Sequence, residues 1–548
     1  MRQSRQEGKR WTVSRLADRR VLAGVTLVVL AFSFYLYTLS PSVSWADGAR
    51  LQYEAIRGES FYMYTVGNAA LEHEPTPFGR LGIAAWDHPL WVMVTHAFTF
   101  LSVGDLPYRV NLVSAVFGAL TAMAFFFFAS DMTGSLPAAA IASAILAVSH
   151  TFWFHAVTPE VYALNTFLYV LVMYAGYRFA VGSQFRDLAL AFFLAGLGIS
   201  NHLLMLLALP ALALVAARFR GVRRWYHVLA LFAALAAGSS VYLIQAARMV
   251  RVFALATLAT AAVGFPFASE ILKFSLPTLL RSVGVYLGFL ALQFGPVGIC
   301  LGVYGWKSMA GKRQALWLCL AFFTVYTAFG LVYTVPDQFA FFLPSFLVFA
   351  ILIAFGLKRI LCRCQSRRWI IFLAFGALLP ATAVTAYHFL PALAREVGLD
   401  ETRLGIPQLG DVRDGLRFYL DPNKRGDFSA SRYGQQTLSS LPPDALVIAE
   451  YYADPDTFIV LRYFQGVEGL RPDVTIIGWP FDDYHSFQSE KVHRLIQENI
   501  AARPIYLASL NERFYGISQL QQRYVLRLEH GLFRVLARSG QGTDTGSP

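Results

Sequence analysis

The sequence predicts a polytopic α-helical membrane protein with about 11 transmembrane helices and a small C-terminal α/β domain. Three observations predict it. The 548 residues are 56% hydrophobic and only 15% charged, whereas water-soluble domains run near half apolar and a quarter charged. Residues 1–400 hold 16 of the 34 acidic and 30 of the 46 basic residues, so this part carries +14 and the last 148 residues −2. Finally, apolar runs recur at lengths near the ~20 residues that span a bilayer. A disordered chain, a secreted disulfide scaffold and an ordinary soluble enzyme are thereby excluded. The basic balance does not describe a nucleic-acid-binding surface, because its charge lies between hydrophobic spans and is a topology signal.

Each element follows in order. Residues 1–20 form a basic cytoplasmic N-terminal segment with Arg2, Arg5, Lys9, Arg10, Arg15, Arg19 and Arg20. The apolar run after it is longer than that of a signal peptide, and Ser44-Trp45-Ala46 is a poor cleavage site. An uncleaved first helix is expected at 21–40. Further spans are marked at 109–129, 135–151, 157–177, 187–201, 203–217, 225–246, 284–304, 315–333, 339–356 and 369–390. With the N-terminus inside, the cytoplasmic connections take fourteen more cations, from Arg178 and Arg186 to Arg367 and Arg368. Positive charge therefore gathers on one side. Leu90–Leu101 and Phe253–Phe267 would each invert that pattern if they crossed; the first is read as interfacial, the second as re-entrant or interfacial. The divisions are a transmembrane domain at 21–391, within it a large extracytoplasmic loop at 41–108, and a C-terminal extracytoplasmic domain at 392–548.

In the tail, Leu446–Glu450, Val474–Ile477 and Ile505–Leu507 read as buried strands separated by helices at Phe458–Phe464 and Glu490–Ile500. That order is βαβαβ, hence a small parallel sheet; Tyr524–Leu526 and Phe533–Leu536 add an antiparallel edge. No Gly-rich phosphate loop is present. The four cysteines, Cys300, Cys319, Cys362 and Cys364, contain no Cys-x-x-Cys pair, which excludes zinc ribbons and thiol redox motifs.

Carboxylates are scarce where the chain is apolar. Residues 109–391 contain Asp131, Glu160, Asp187, Glu270 and Asp337, while the 40–108 loop alone contains seven acids. An ion-coupled transporter would place acids at mid-membrane; the threading puts none there, so chemistry is expected at the outer surface. Asp47 opens that loop and suits either a general base or the N-cap of a helix over Gly48–Ile56. Asp87-His88-Pro89 either holds an anionic phosphate at a helix start or is a solvated loop. Arg109 either snorkels to lipid phosphates or binds a lipid-linked phosphate of the substrate. His155, Glu160 and Tyr162 face the outer cavity from the next turn, Asn201-His202 makes a tight hairpin, and Asp337 lies in the turn between the ninth and tenth crossings. The spacing of His150 and His155 does not suit a metal. Asp454-Pro-Asp456 is read as a turn with a helix cap rather than a divalent-ion motif.

Taken in order, SPSVSWADGARLQYEA, DHPLWVMVTHAFTFL, LPYRVNLVSAVFGALTA, TFWFHAVTPEVYALN, GLGISNHLLMLLALP and YTVPDQFAFFLPSF resemble the protein O-mannosyltransferase-like family, long catalogued as membrane proteins of unknown function. The resemblance implies a GT-C-like fold and a glycosyltransferase that uses a polyprenyl-phosphate sugar as co-substrate, with no divalent metal indicated. It implies Asp47 as catalytic base, and substrate binding by Arg50, His88, Arg109, His155, Glu160, Tyr162, Asn201, His202 and Asp337. The implied partners are membrane lipid, the lipid-linked sugar and a protein, lipid or glycan acceptor, with no nucleic acid. The chain departs from the family's Asp-Ser-Gly-Glu, having Asp47-Gly-Ala-Arg50, and from its His-Pro-Pro-Gly, having His88-Pro-Leu-Trp. The expected reaction is an inverting sugar transfer, hexosyl or mannosyl, at the extracytoplasmic face of the cell membrane. Alternatives are a lipid-linked glycan flippase or a non-catalytic scaffold whose outer domain binds a partner.

Overall fold

The computed structural model describes residues 2–61, 83–219, 224–250, 275–335, 337–404, 406, 412–450, 454–478 and 489–538. The expected re-entrant segment at Phe253–Phe267 lies outside them. The helices are α1 (Arg2–Thr38), α2 (Asp47–Arg57), α3 (Pro89–Phe98), α4 (Leu106–Thr133), α5 (Leu136–Ala147), α6 (His150–Val157), α7 (Tyr162–Gly182), α8 (Phe185–Asn201), α9 (Ala208–Arg218), α10 (Trp225–Gly238) and α11 (Ser240–Met249). After the break come α12 (Leu276–Met309), α13 (Arg313–Val332), the short α14 (Gln338–Phe341), α15 (Leu343–Arg363) and α16 (Leu379–Glu396).

The protein is a multi-pass membrane protein. Seven helices among the described residues are long and apolar enough to cross, and nine if the pairs α5–α6 and α10–α11, bent by 65° and 71°, each count once. The two remaining marked spans are shorter: α8 has 17 residues, and Leu203–Arg218 is a short apolar helix. They meet at His202 in a hairpin whose turn carries polar side chains into the bundle. α3, at 10 residues, is too short to cross.

Local chemistry sets the helix ends. The Asp105 carboxylate caps α4 by accepting from the Tyr108 N–H at 3.0 Å, and Ser135 caps α5 before Pro137. α12 bends at Gly295, in the left-handed region at φ 59°, followed by Pro296. At one end of the bundle Arg20 pairs with Asp131 at 2.7 Å, and Lys312 donates to the Met132 carbonyl. This is the end that charge counting expects to be cytoplasmic. The site described below lies at the other.

The tail carries β1 (Leu446–Ile448), β2 (Thr475–Ile477), β3 (Ile505–Leu507), β4 (Tyr524–Glu529) and β5 (Leu532–Ala537) in the order β2-β1-β3-β5-β4. The first three strands pair in parallel and β5 is antiparallel to both β3 and β4. The helices α17 (Ser429–Ser440), α18 (Pro455–Glu468) and α19 (Ser489–Asn499) cover it. The tail does not pack alone. Val43, Trp45, Ala49 and Tyr53 of the first loop share one buried core with Tyr433, Phe458 and Val460. α2 is thus held between the bundle and α18.

Candidate active site

Asp47 is presented by a buried polar brace. The chain from Ser40 to Ser44 leaves α1 inside the protein, where its backbone groups need partners. Asn111 of α4 donates to the carbonyls of Ser40 at 2.8 Å and Ser42 at 3.0 Å. Gln52 donates to the Ser42 carbonyl at 3.1 Å and to Asn111 Oδ1 at 2.8 Å, and accepts from the Ser44 N–H at 3.0 Å. Neither side chain is exposed. Beyond the brace, Ala46 takes the left-handed region at φ 49°, ψ −133°, and Asp47 is the first residue of α2. The expected cap is not made: Ala46 holds the cap position without a side-chain bond, and the Asp47 side chain stays 59% exposed.

Asp47, Arg50 and Glu54 share one face of α2, as positions three and four apart must. Arg50 Nε lies 3.3 Å from Asp47 Oδ1, and its Nη1 3.2 Å from Glu54 Oε1. The close fit of this turn depends on Gly48, where a Cβ would meet Ser44 Cβ at 2.7 Å and the rigid ring of Pro159 at 3.1 Å. Gly48→Ala should push α2 off the Pro159 turn. Any activity that depends on the placement of Asp47 is expected to fall about tenfold, because a ~1 Å misplacement of a reacting group is already costly. A thermal scan beside the activity assay checks that the protein still folds.

Glu54, Asp87, Glu160 and Asp337 each hold a proton more tightly than a free carboxyl. Burial raises Glu54 well above the usual range and the charge of Asp87 adds to it, with Arg50 opposing. Burial lifts Asp87 to about 6; it accepts from the Ala84 N–H at 2.8 Å and is fully enclosed, so the reading as a solvated loop does not hold. Glu160 is raised by burial and then by Asp47 and Asp337, again opposed by Arg50. Asp337 rises to about 6 by burial, although the Tyr162 hydroxyl donates to its Oδ2 at 2.9 Å. A raised folded-state value means that folding takes up protons, so stability is greatest at low pH and falls as pH rises from about 4 through 6. For Asp87 the loss is up to ~3 kcal/mol. Asp87→Asn, which can still accept from Ala84, is expected to flatten that slope and to melt higher than the parent at pH 8. An unchanged pH profile of unfolding would refute it.

Opposite this helix two imidazoles stack, His88 on His202, with centroids 5.0 Å apart and planes 12° apart. His88 sits at φ 56° just before Pro89. Its Nδ1 lies 3.0 Å from the Asn201 carbonyl, which can only accept, so Nδ1 carries the proton. Burial, then His202 and Arg50, keep His88 neutral by holding its pKa far down, leaving a lone pair on Nε2. His202 is the reverse. Its Nδ1 accepts from the Leu204 N–H at 3.0 Å and burial lowers it to about 4, so its proton is on Nε2. Asn201 is buried and donates to the Val161 carbonyl at 3.2 Å. Tyr162 packs between His155 at 4.7 Å and His202 at 5.5 Å. His155 stacks on Phe339, and both its ring nitrogens are buried without a hydrogen-bond partner among the described residues.

Nine of the ten sequence-marked residues thus gather in two adjoining groups, Asp47, Arg50 and Glu160 against His88, His155, Tyr162, Asn201, His202 and Asp337. Arg109 is used otherwise. Its guanidinium donates to the carbonyls of Thr99, Val103 and Gly104 at 2.8, 3.1 and 3.0 Å, which clasps the loop between α3 and α4. Asp454 accepts from the Tyr515 hydroxyl instead of capping α18. Among the described residues, no three His, Cys, Asp or Glu side chains are grouped to hold a metal ion. Sequence reasoning passed over Glu54, Gln52 and the part played by Asn111; the i, i+3, i+7 spacing of Asp47, Arg50 and Glu54 was the available signal for the first.

Comparison with known proteins agrees with this architecture. The structure of ArnT from Cupriavidus metallidurans in the apo state superposes with a TM-score of 0.51 at 14% identity, over 95% of this chain and 98% of that one. At that identity the likeness is one of fold. Protein O-mannosyl-transferase TMEM260 of Mus musculus is 28% identical over 120 residues, which are 21% of this chain and 17% of that protein. The match therefore spans under a fifth of the relative's length. A family model described as the Protein O-mannosyl-transferase TMEM260 N-terminal domain matches residues 87–225, a stretch that includes His88, His155, Glu160, Tyr162, Asn201 and His202 but not Asp47. The resemblance seen in the short segments thus holds across residues 87–225, which match the O-mannosyl-transferase TMEM260 N-terminal domain, within a GT-C-like fold that runs along nearly the whole chain.

Proposed function

We propose that the protein is an integral-membrane glycosyltransferase that moves a sugar from a polyprenyl-phosphate donor to an acceptor hydroxyl at the extracytoplasmic face. A hexose, mannose first among them, is the sugar to test, and the acceptor is a protein, lipid or glycan. One observation carries the reading: an exposed carboxylate, Asp47, stands at the open end of a helix beside a buried guanidinium, Arg50. Base and phosphate-neutralising cation are therefore held within one turn.

The mechanism is a single displacement. The acceptor hydroxyl gives its proton to Asp47 as its oxygen bonds to the anomeric carbon. The bond from that carbon to the phosphate oxygen breaks on the opposite face, which inverts the configuration. The departing polyprenyl phosphate gains negative charge at the oxygen it takes. In this reading Arg50 and the Nε2–H of His202 turn to that oxygen, a kind of stabilisation that often dominates catalysis. Arg109, engaged with three backbone carbonyls, is left out of this step. In this reading the N-terminus is cytoplasmic, the tail is extracytoplasmic and the host is the cell membrane.

Purified protein given radiolabelled polyprenyl-phosphate mannose and a membrane or peptide acceptor should transfer label, and Asp47→Asn should not. Transfer that persists in Asp47→Asn removes Asp47 as base. Donor movement across liposomes with no transfer to any acceptor replaces the transferase with a flippase.

A further inference from the structure

We infer that Asp456 of the outer domain, together with Arg413, is a positioning pair for Asp47, so that the tail forms part of the catalytic scaffold rather than an appended module. The inference rests on the transferase reading and on a different set of contacts. Ala46, immediately before Asp47, occupies φ 49°, ψ −133°, a conformation a non-glycine residue keeps only when its surroundings impose it. The surroundings come from the tail. Asp456 is the second residue of α18, where the helix N-terminus favours a carboxylate; burial raises its proton affinity, and Arg413 and the Ala46 backbone oppose that rise. Arg413 Nη2 is 2.9 Å from Asp456 Oδ2, and both side chains are 2% exposed.

The same guanidinium covers the residue on the other side of Ala46. It lies 5.2 Å from the ring of Trp45, with Phe418 at 5.4 Å and Tyr419 at 5.8 Å completing the enclosure. The Trp45 indole N–H donates to Ser429 Oγ at 2.8 Å, and its ring packs 5.5 Å from Tyr433. Arg413, α17 and α18 of the tail thus enclose Trp45 and Ala46 from outside, while Asn111 and Gln52 hold Ser40–Ser44 from inside. A buried ion pair contributes little net stability compared with a well-packed apolar pair. Its opposite charges fix which groups may face one another, which an apolar pair does not, and here the guanidinium also covers Trp45 on the peptide leading into Asp47.

Four proteins are assayed beside the parent and Asp47→Asn. Asp456→Asn should lower kcat by 10- to 100-fold while KM for donor and acceptor stays within about twofold. The apolar pair Arg413→Met with Asp456→Leu should recover the melting temperature lost in Asp456→Asn without recovering kcat. Asp456→Glu should regain part of kcat. Glu529→Gln, which removes the ion pair with Arg534 on the far strands of the sheet, should leave kcat as in the parent. An active parent with normal kcat in Asp456→Asn overturns the inference, and so does kcat that returns with melting temperature in the apolar pair. A parent that transfers no sugar overturns the transferase reading instead.

Discussion

In the transferase reading, Asp47→Asn is expected to lower sugar transfer by roughly 10²–10⁴-fold, the usual contribution of a positioned general base. The same change should barely touch the fold. The side chain is 59% exposed, so water screens its 3.3 Å pair with Arg50. Arg50 keeps Glu54 as a partner at 3.2 Å, and the loss is expected to be ~1 kcal/mol or less. Donor binding should also persist, because the amide keeps the shape of the carboxylate and Arg50 keeps its charge. The decisive measurement is single-turnover transfer with saturating donor, read against the unfolding temperature of the same preparation. A loss of activity matched by a loss of folding would assign Asp47 a structural part only.

Arg50→Met is the second large effect, and it acts on both activity and stability. In the transferase reading, Arg50 supplies charge to the departing phosphate; losing one such donor costs about 10²–10³ in rate. In the folded protein it is also the buried partner of Glu54, with 6% of its side chain exposed and none of that of Glu54. Removing one member of a buried pair costs ~3 kcal/mol or more, limited here because Glu54 can take up a proton. Arg50 lowers the proton affinity of Glu54, Asp87 and Glu160, so all three should hold protons to higher pH in the variant. The fall in stability with rising pH would still begin near the unfolded-state value of about 4 but would continue to a higher pH than in the parent. Arg50→Lys keeps the charge but loses the planar fork, and an intermediate rate is expected. Equal rates in Arg50→Met and the parent would show that the phosphate is neutralised elsewhere.

Much of the fold was legible because its causes are local. Apolar runs, Pro and Gly positions and the alternation of strands and helices in the tail depend on neighbouring residues, and the bilayer length and the sheet connection follow from them. The two helices meeting at His202 are the shortest of the marked spans, 17 residues for α8, so length says least about them. Asp47 shows the limit within one turn of chain. A cap and an exposed carboxylate use the same residue type at the same place, and which of them Asp47 is depended on what held Ala46 in the cap position.

The sequence by itself determined a multi-pass membrane protein with a parallel-sheet tail, and it marked the outer turns on which the polar residues stand. Tertiary structure alone decided which of them meet. His88 reaches the Asn201 carbonyl across 113 residues and Tyr162 reaches Asp337 across 175. Arg109 instead turns back to carbonyls within ten residues of itself, and Arg413 of the tail closes over Trp45 of the first loop. The physical reason is range. Hydropathy and helix spacing are properties of short stretches of chain, whereas an ion pair or a stacked ring pair forms only where packing brings distant segments within a few ångströms and removes the water that would otherwise serve them.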